Sequence, residues 1–217
     1  GVVLRELTQN SLDAVRLEEK KSDSDSFKGE INIIYDSDTR ELIVRDNGTG
    51  MTQDIIEGHF LSVGASRYQD PDFKDEHPSF SPISRFGIGV LSYFMVADEI
   101  EVITVHPEED TARQLALRSV HGKYLIQLKN KESEDVEPIS PHGTEVRMKV
   151  RPSADDVDVL EDIRKWIVFP GCDVNLTIDG GDPISIGYDS PRHALQETID
   201  ILGYKSGSGD NTPDIEI

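Results

Sequence analysis

The sequence predicts an α+β fold, a two-layer sandwich in which helices cover one face of a mixed, mostly antiparallel sheet. An apolar repeat of helical period opens the chain at residues 2–20. Two alternating segments, 31–35 and 41–45, follow and are joined by an Asp-Ser-Asp-Thr turn, which is typical of a hairpin. Further strand-like segments succeed one another between residues 100 and 150. Runs of antiparallel strands beside a few helices favour this two-layer architecture.

The rest of the chain predicts one long loop and several further helices and strands. Residues 64–85 hold three prolines, many polar side chains and little periodicity. They predict a long loop, and long loops in compact domains often act as lids. The other predicted elements are a short helix at 54–63, an apolar helix at 87–97, strands near 100–105, 112–120, 123–129 and 143–150, an amphipathic helix at 155–168, and strands at 174–178 and 184–186.

These elements form one predicted domain over residues 1–187. Residues 188–217 are interpreted as a linker or the start of a following domain, partly flexible, because 206–212 is rich in Ser, Gly, Asp and Asn. The chain opens without Met and enters a helical pattern at once, so we expect it to be a fragment of a longer protein.

The composition excludes several classes of function. The 217 residues carry a formal net charge of −20, which disfavours nonspecific binding to nucleic acid or anionic lipid. A nucleotide is not excluded, because local amides and metal bind phosphate whatever the net charge. No apolar run reaches the length of a membrane span. Cys172 is the single cysteine, so an internal disulfide and a cysteine metal cluster are both excluded.

Polar residues line one stripe of the first predicted helix. Glu6, Asn10 and Asp13 stand at positions i, i+4 and i+7, which fall within about 60° of one another on a helix. Oxygen ligands in this arrangement suit Mg²⁺, and a carboxylate one turn away can take a proton from water. A solvated helix face would show the same pattern.

A glycine-rich segment, Asp46 to Met51, comes directly after an apolar strand. An acidic residue at a strand end can accept a hydrogen bond from an exocyclic amine, and glycines let a flat ring approach the backbone. An ordinary Asp-Asn-Gly turn would also account for it.

Two further segments complete the candidate set. Phe86-Gly87-Ile88-Gly89-Val90 opens an apolar helix, and glycines at a helix start free backbone N–H groups for phosphate. It is neither a P-loop nor a complete dinucleotide fingerprint, and a pair of packing glycines is the alternative. His142-Gly143-Thr144-Glu145 is a weaker signal, because a turn into a strand would explain it.

Together and in this order, the four segments resemble the GHKL ATPases, which comprise gyrase, heat-shock-ninety, histidine kinase and MutL relatives. That superfamily has an E-x-x-x-N helix motif, a D-x-G-x-G box, a lid ending in a glycine-rich box, and a late Gly-Thr pair. The resemblance is closest to the N-terminal nucleotide domain of the heat-shock-ninety chaperones and extends over residues 2–187. It rests on segments 6–14, 46–52 and, above all, 86–98.

The resemblance implies roles for individual residues. Glu6 would activate the hydrolytic water, and Asn10 would coordinate Mg²⁺. Asp46 would accept a hydrogen bond from the adenine amine with support from Thr144, and Asp13 would orient water at the edge of the base.

On the phosphate side, the resemblance assigns residues 64–85 to an ATP lid and the following glycines to the phosphates. The expected nucleotide contacts are Asn10, Asp13, Asp46, Gly48, Gly50, Met51, Ser66, Arg67, Phe86, Gly87, Ile88, Gly89 and Thr144. Two positions depart from the chaperone pattern. Ala65 stands where a lysine is usual, with Arg67 as a possible substitute for its charge, and Val90 stands where an aromatic residue is common.

The function implied is Mg²⁺-dependent ATP binding and slow hydrolysis that drives lid closure in a cytoplasmic, homodimeric chaperone acting on client proteins. Two alternatives use the same module: a DNA-associated ATPase of the MutL or topoisomerase kind, and a bacterial defence or regulatory protein. Segment 86–98 favours the chaperone branch. Glu6 argues against a degenerate module that only binds nucleotide.

Overall fold

An eight-stranded sheet forms the centre of the protein in a computed structural model that describes residues 1–22, 27–61, 70–83, 89–118, 124–154 and 158–201. The strands are β1 (Glu30–Asp36), β2 (Glu41–Asp46), β3 (Ala97–Val105), β4 (Thr111–Leu117), β5 (Tyr124–Asn130), β6 (Gly143–Val150), β7 (Asp173–Ile178) and β8 (Ile184–Ser185). Their order in the sheet is β5-β4-β3-β6-β2-β1-β7-β8. Strands β1 and β7 run parallel, and every other neighbouring pair is antiparallel.

Six α-helices accompany the sheet in the described ranges: α1 (Val2–Lys21), α2 (Gln53–Ile55), α3 (Pro71–Glu76), α4 (Gly89–Tyr93), α5 (Val159–Trp166) and α6 (Pro191–Ile201). Helix α2 continues directly as a π-helical turn, Ile56–Phe60. The predicted α+β class and the mixed, mostly antiparallel sheet are confirmed.

Helix α1 packs on the sheet and carries part of the candidate site. Its Leu7 and Val15 are 2% and 1% exposed and belong to the same core as Ile33, Val44 and Val102 of the sheet. Burying an aliphatic side chain of this size contributes about 1.5–3 kcal/mol. This apolar packing fixes the rotation of α1 about its axis, so the polar stripe of the helix has a defined position beside the strand ends.

Three predicted boundaries were wrong, and hydrogen bonds in the folded protein account for the observed ends. Residues 64–85 were predicted as a loop but contain α3, which begins at Pro71 because the Asp70 carboxylate accepts from the backbone N–H of Asp72. The helix predicted at 155–168 begins at Val159, after the N-cap Asp158, and ends at Trp166. Of its predicted residues, 155–157 lie outside the described ranges.

The apolar helix predicted at 87–97 ends at Tyr93, and Ala97 already belongs to β3. Arg151 explains the early end, because its guanidinium donates to the backbone carbonyls of Phe94, Met95 and Ala97. These carbonyls are therefore satisfied without a continuing helix. Of the apolar side chains that suggested a helix, Tyr93, Phe94 and Ala97 are buried in the core, whereas Met95 is exposed.

The chain divides into two units, Gly1–Gly187 and Tyr188–Ile217. The second unit contains α6, and residues 202–217, with the predicted flexible stretch 206–212, lie outside the described part. The interpretation of 188–217 as linker or following domain stays a prediction. Among the described residues, no helix combines the length and apolar character needed to cross a membrane.

Candidate functional site

Asp46 ends strand β2 with a buried carboxylate that is held on both oxygens. The Ser11 hydroxyl of α1 donates to Oδ2 over 2.8 Å, and the Gly48 backbone N–H donates to Oδ1 over 3.0 Å. Burial raises the pKa of the Asp46 carboxyl to about 6, against the lowering effect of these hydrogen bonds. A carboxylate so placed is a strong acceptor for a ligand amine, since desolvation strengthens charge-assisted hydrogen bonds.

The register of the sheet places two threonines beside Asp46. Thr144 of β6 pairs with Asp46, and Thr104 of β3 pairs with Thr144. The two hydroxyl oxygens are 3.0 Å apart, and the Thr104 hydroxyl accepts from the backbone N–H of Met51 over 2.9 Å. The threonines therefore tie the glycine-rich segment after β2 to the middle of the sheet.

Two glycines of this segment make contacts that a side chain would block. Gly50 has φ +60°, and a Cβ there would lie 1.9 Å from the carbonyl oxygen of Val105. A Cβ on Gly48 would lie 2.5 Å from the carbonyl carbon of Ala14 on α1. The segment is thus pressed between α1 and β3, so packing against the protein's own backbone requires these glycines. The predicted approach of a flat ring to this segment stays a prediction.

Two of the three residues of the polar stripe on α1, Glu6 and Asp13, are buried, and Asn10 is partly buried. Glu6 is 6% exposed and lies 3.5 Å from the guanidinium of Arg5. Asn10 donates through Nδ2 to the hydroxyl of Tyr93 on α4 over 3.2 Å. Burial raises the pKa of Tyr93, and the negative charge of Glu6 raises it further. The Tyr93 phenol therefore stays neutral, with its oxygen available to accept from Asn10.

Asp13 connects α1 to the segment predicted as a lid. It is fully buried, and its carboxylate accepts from the backbone N–H of Ile83 at 2.8 Å through Oδ1 and 3.0 Å through Oδ2. This contact anchors the C-terminal end of the described segment 70–83. The predicted role of Asp13 in ordering water at a base edge stays a prediction beside this contact.

Comparison with known proteins shows which family the chain belongs to. Residues 1–145 match the family described as histidine kinase-, DNA gyrase B-, and HSP90-like ATPase. The chain belongs to this ATPase family. The resemblance inferred from the motifs on α1, after β2 and before α4 is thereby confirmed.

The chain is also similar to curated proteins named Chaperone protein HtpG. It is 36% identical over 174 residues to the one from Mycolicibacterium vanbaalenii, covering 75% of this chain and 26% of the relative. The values are 31% over 163 residues for Streptomyces coelicolor, covering 70% and 24%, and 34% over 165 residues for Bacillus licheniformis, covering 71% and 24%. The chain thus spans about a quarter of the length of these HtpG relatives.

Within this ATPase domain, the structure gathers only part of the predicted site. The carboxylate and glycine loop after β2, Thr144, and α1 through its Ser11 meet at one end of the sheet. The backbone of Gly89 opens α4, which contacts α1. The predicted contacts Ser66, Arg67, Phe86, Gly87 and Ile88 lie outside the described residues, so their roles stay predictions.

The oxygen chemistry of the stripe fits Mg²⁺. With Nδ2 of Asn10 bound to Tyr93, the amide oxygen is the atom left for a hard cation. Among the described residues, no group of three or more His, Cys, Asp or Glu side chains is placed to hold a metal ion. A cation bound at Asn10 would therefore take most of its ligands from phosphate and water, as Mg²⁺ commonly does.

Sequence reasoning missed three residues that shape this site. Ser11 contacts Asp46, Thr104 contacts Met51, and Tyr93 contacts Asn10. Thr104 gives a usable signal, because it is the polar residue on the inward face of the apolar strand β3, directly opposite Thr144. Tyr93 gives none, since nothing local predicts its distant partner. His142 belongs to the weak turn signal before β6, and its contact with the Gly48 carbonyl is seen only in the structure.

Proposed function

We propose that this domain binds ATP with Mg²⁺ and hydrolyses it slowly, and that nucleotide binding closes residues 64–85 over the site in a chaperone of the HtpG kind. The observation that carries the proposal is the buried Asp46 carboxylate at the end of β2, held by the Ser11 hydroxyl and the Gly48 backbone N–H. Ser11 and Gly48 hold the carboxylate while leaving capacity for a ligand amine, since each carboxylate oxygen accepts more than one hydrogen bond.

The α1 stripe supports the hydrolytic half of the proposal. Asn10 would hold Mg²⁺ through its amide oxygen, and the cation would neutralise charge on the phosphates. Glu6 is one helical turn away and buried, so its carboxylate can take a proton from an attacking water. The guanidinium of Arg5 lies 3.5 Å from the Glu6 carboxylate.

The contact between Asp13 and Ile83 supports the lid. It joins the segment ending at residue 83 to the helix that carries Glu6 and Asn10. A ligand that contacts both can therefore favour one arrangement of the segment over another.

The HtpG relatives favour the chaperone over the DNA-associated or defence ATPase that the motifs also allow. Client binding, homodimer formation and a cytoplasmic location are part of this proposal. The net charge of −20 disfavours a nucleic-acid partner.

The test of nucleotide binding is Asp46→Asn, measured by calorimetry with ATP and with adenosine. Loss of a charge-assisted hydrogen bond in a buried site costs about 1.5–3 kcal/mol, which is about 10–100-fold in affinity. Asp38→Asn is the matched control, because Asp38 is an exposed carboxylate in the β1–β2 turn. Equal affinities in the Asp46 variant and the wild type would exclude Asp46 as the adenine-reading residue.

A further inference from the structure

Glu18, in the last turns of α1, is a buried carboxylate that the proposed reaction does not use. It is 7% exposed, and its Oε2 has no hydrogen-bond partner among the described residues. An unsatisfied buried polar atom costs about 1–3 kcal/mol, and more when the group is charged. Such a group calls for a functional explanation.

The neighbour of Glu18 is His142, in the turn before β6. Its Nε2 lies 3.9 Å from Glu18 Oε1, and its Nδ1 lies 2.8 Å from the carbonyl oxygen of Gly48. A carbonyl oxygen only accepts, so Nδ1 carries a proton and donates. The ring of Phe27 stacks on the imidazole with centroids 6.1 Å apart, which fixes the plane of the ring.

Gly48 lies in the segment that follows Asp46, packed closely against α1. Its N–H donates to Asp46, its carbonyl accepts from His142, and the next N–H, of Thr49, donates to the Ala14 carbonyl over 3.3 Å. Glycine has the largest backbone freedom of any residue, so its conformation here depends on these outside partners. Of these three bonds, only the one from His142 is donated by a side chain.

We propose that Glu18 and His142 act as a positioning pair behind the adenine-binding segment. The imidazole holds the Gly48 carbonyl through Nδ1, which keeps the Gly48 N–H on Asp46. The Glu18 carboxylate, with Oε1 3.9 Å from Nε2, attracts the ring when Nε2 also carries a proton. The inference rests on the proposed function, since it assigns the pair to the adenine end of that site.

The test compares His142→Leu, His142→Asn and Glu18→Gln by calorimetry with adenosine and with ATP. His142→Leu removes the donor to Gly48, and we expect adenosine to bind about fivefold more weakly, the effect of one net hydrogen bond. His142→Asn keeps a side-chain N–H near the position of Nδ1, so we expect it to recover most of the affinity. Glu18→Gln keeps the shape but loses the charge facing Nε2, and an intermediate loss is expected. His193→Leu, at an exposed histidine of α6, is the control.

Four outcomes separate the possibilities. Weaker adenosine binding in His142→Leu, recovered in His142→Asn with circular dichroism unchanged, supports the positioning pair. Wild-type affinity in both His142→Leu and Glu18→Gln overturns it while leaving the nucleotide site intact. Failure of the wild type itself to bind adenosine and ATP overturns the proposed function and, with it, the inference. If His142→Leu does not fold, equal affinity of wild type, His142→Asn and Glu18→Gln overturns the pair.

Discussion

The two ends of the candidate site are built differently. At the proposed adenine end, Asp46, Thr104 and Thr144 stand on three adjacent strands, and their positions follow from the register of the sheet. At the proposed phosphate end and lid, the described contacts join α1 to short elements: Asn10 to Tyr93 on α4, and Asp13 to Ile83. The first end depends on a cooperative sheet, and the second depends on single hydrogen bonds to short helices and connecting segments.

Because of this difference, we expect the adenine end to supply most of the binding affinity and the phosphate end to undergo lid closure. A preformed adenine end costs little conformational entropy when a ligand arrives, so it can supply most of the affinity. The described part of the segment at 70–83 is held to α1 at two points, Asp13 and Lys20, whose ammonium donates to the Ser79 carbonyl. Regions with few buried contacts open at low free-energy cost, so this end is suited to respond to the ligand.

The largest expected effect that is confined to one end of the site comes from Glu6→Gln. The substitution removes a general base at the phosphate end while leaving Asp46 and the threonines in place. We expect hydrolysis to fall by about 10²–10⁴-fold with little change in ATP affinity. The measurement is single-turnover hydrolysis with protein in excess, together with calorimetric binding of ATP.

The control for Glu6→Gln is Glu19→Gln, which neutralises an exposed carboxylate on the same helix. It should hydrolyse ATP at the wild-type rate. Wild-type turnover by Glu6→Gln would assign the general base to another residue and leave the adenine end unaffected.

The sequence predicts the two ends unequally. Spacing on one helix is enough to bring Glu6, Asn10 and Asp13 together, and a strand followed by glycines is enough to select Asp46. The sheet class follows in the same way from alternating segments. Local patterns do not determine which strand pairs with which, so the meeting of Asp46 with Thr104 and Thr144 is visible only in the fold.

Helix ends were the weakest part of the prediction, and the reason is again distance along the chain. The apolar run at 87–97 predicts a long helix, because nothing near it in the sequence indicates that Arg151 binds the carbonyls of Phe94, Met95 and Ala97. The helix α3 could have been found from Asp70 and Pro71, a capping residue followed by proline at the first helical position.

A pH titration sharpens the description of the adenine end. Because burial raises the pKa of Asp46 to about 6 in the free protein, the carboxylate becomes protonated as the pH falls below 6. We expect ATP affinity to fall by as much as about tenfold per pH unit in that range, since the charged acceptor is lost. Calorimetry from pH 7.5 to 5 measures this slope, with Asp46→Asn as the control for ionisation of ATP itself.

The same shift predicts an opposite trend in the stability of the free protein. The folded pKa of Asp46 lies above its unfolded value near 3.8, so the folded state binds more protons between the two values. The contribution of this group to the free energy of unfolding is therefore largest at acid pH and is lost as the pH rises through about 6. A wild-type ATP affinity with the same pH slope as Asp46→Asn would contradict both statements.

The smallest expected effect concerns closure at the phosphate end. The backbone N–H of Ile83 donates to the fully buried Asp13, beside the helix that carries Asn10, so its exchange with solvent reports on how firmly segment 70–83 is held. We expect a non-hydrolysable ATP analogue with Mg²⁺ to slow exchange across this segment several-fold, and ADP to slow it less, because only the triphosphate reaches the lid through its third phosphate. Asp13→Asn should raise the exchange of Ile83 about fivefold without ligand, the effect of one net hydrogen bond, while amides of β2 and β6 keep their protection.

Equal protection by ATP analogue and ADP, in a protein that binds both, would mean that the segment does not sense the third phosphate. The site would then be static at both ends, and the contrast between a preformed adenine end and a responsive phosphate end would be wrong.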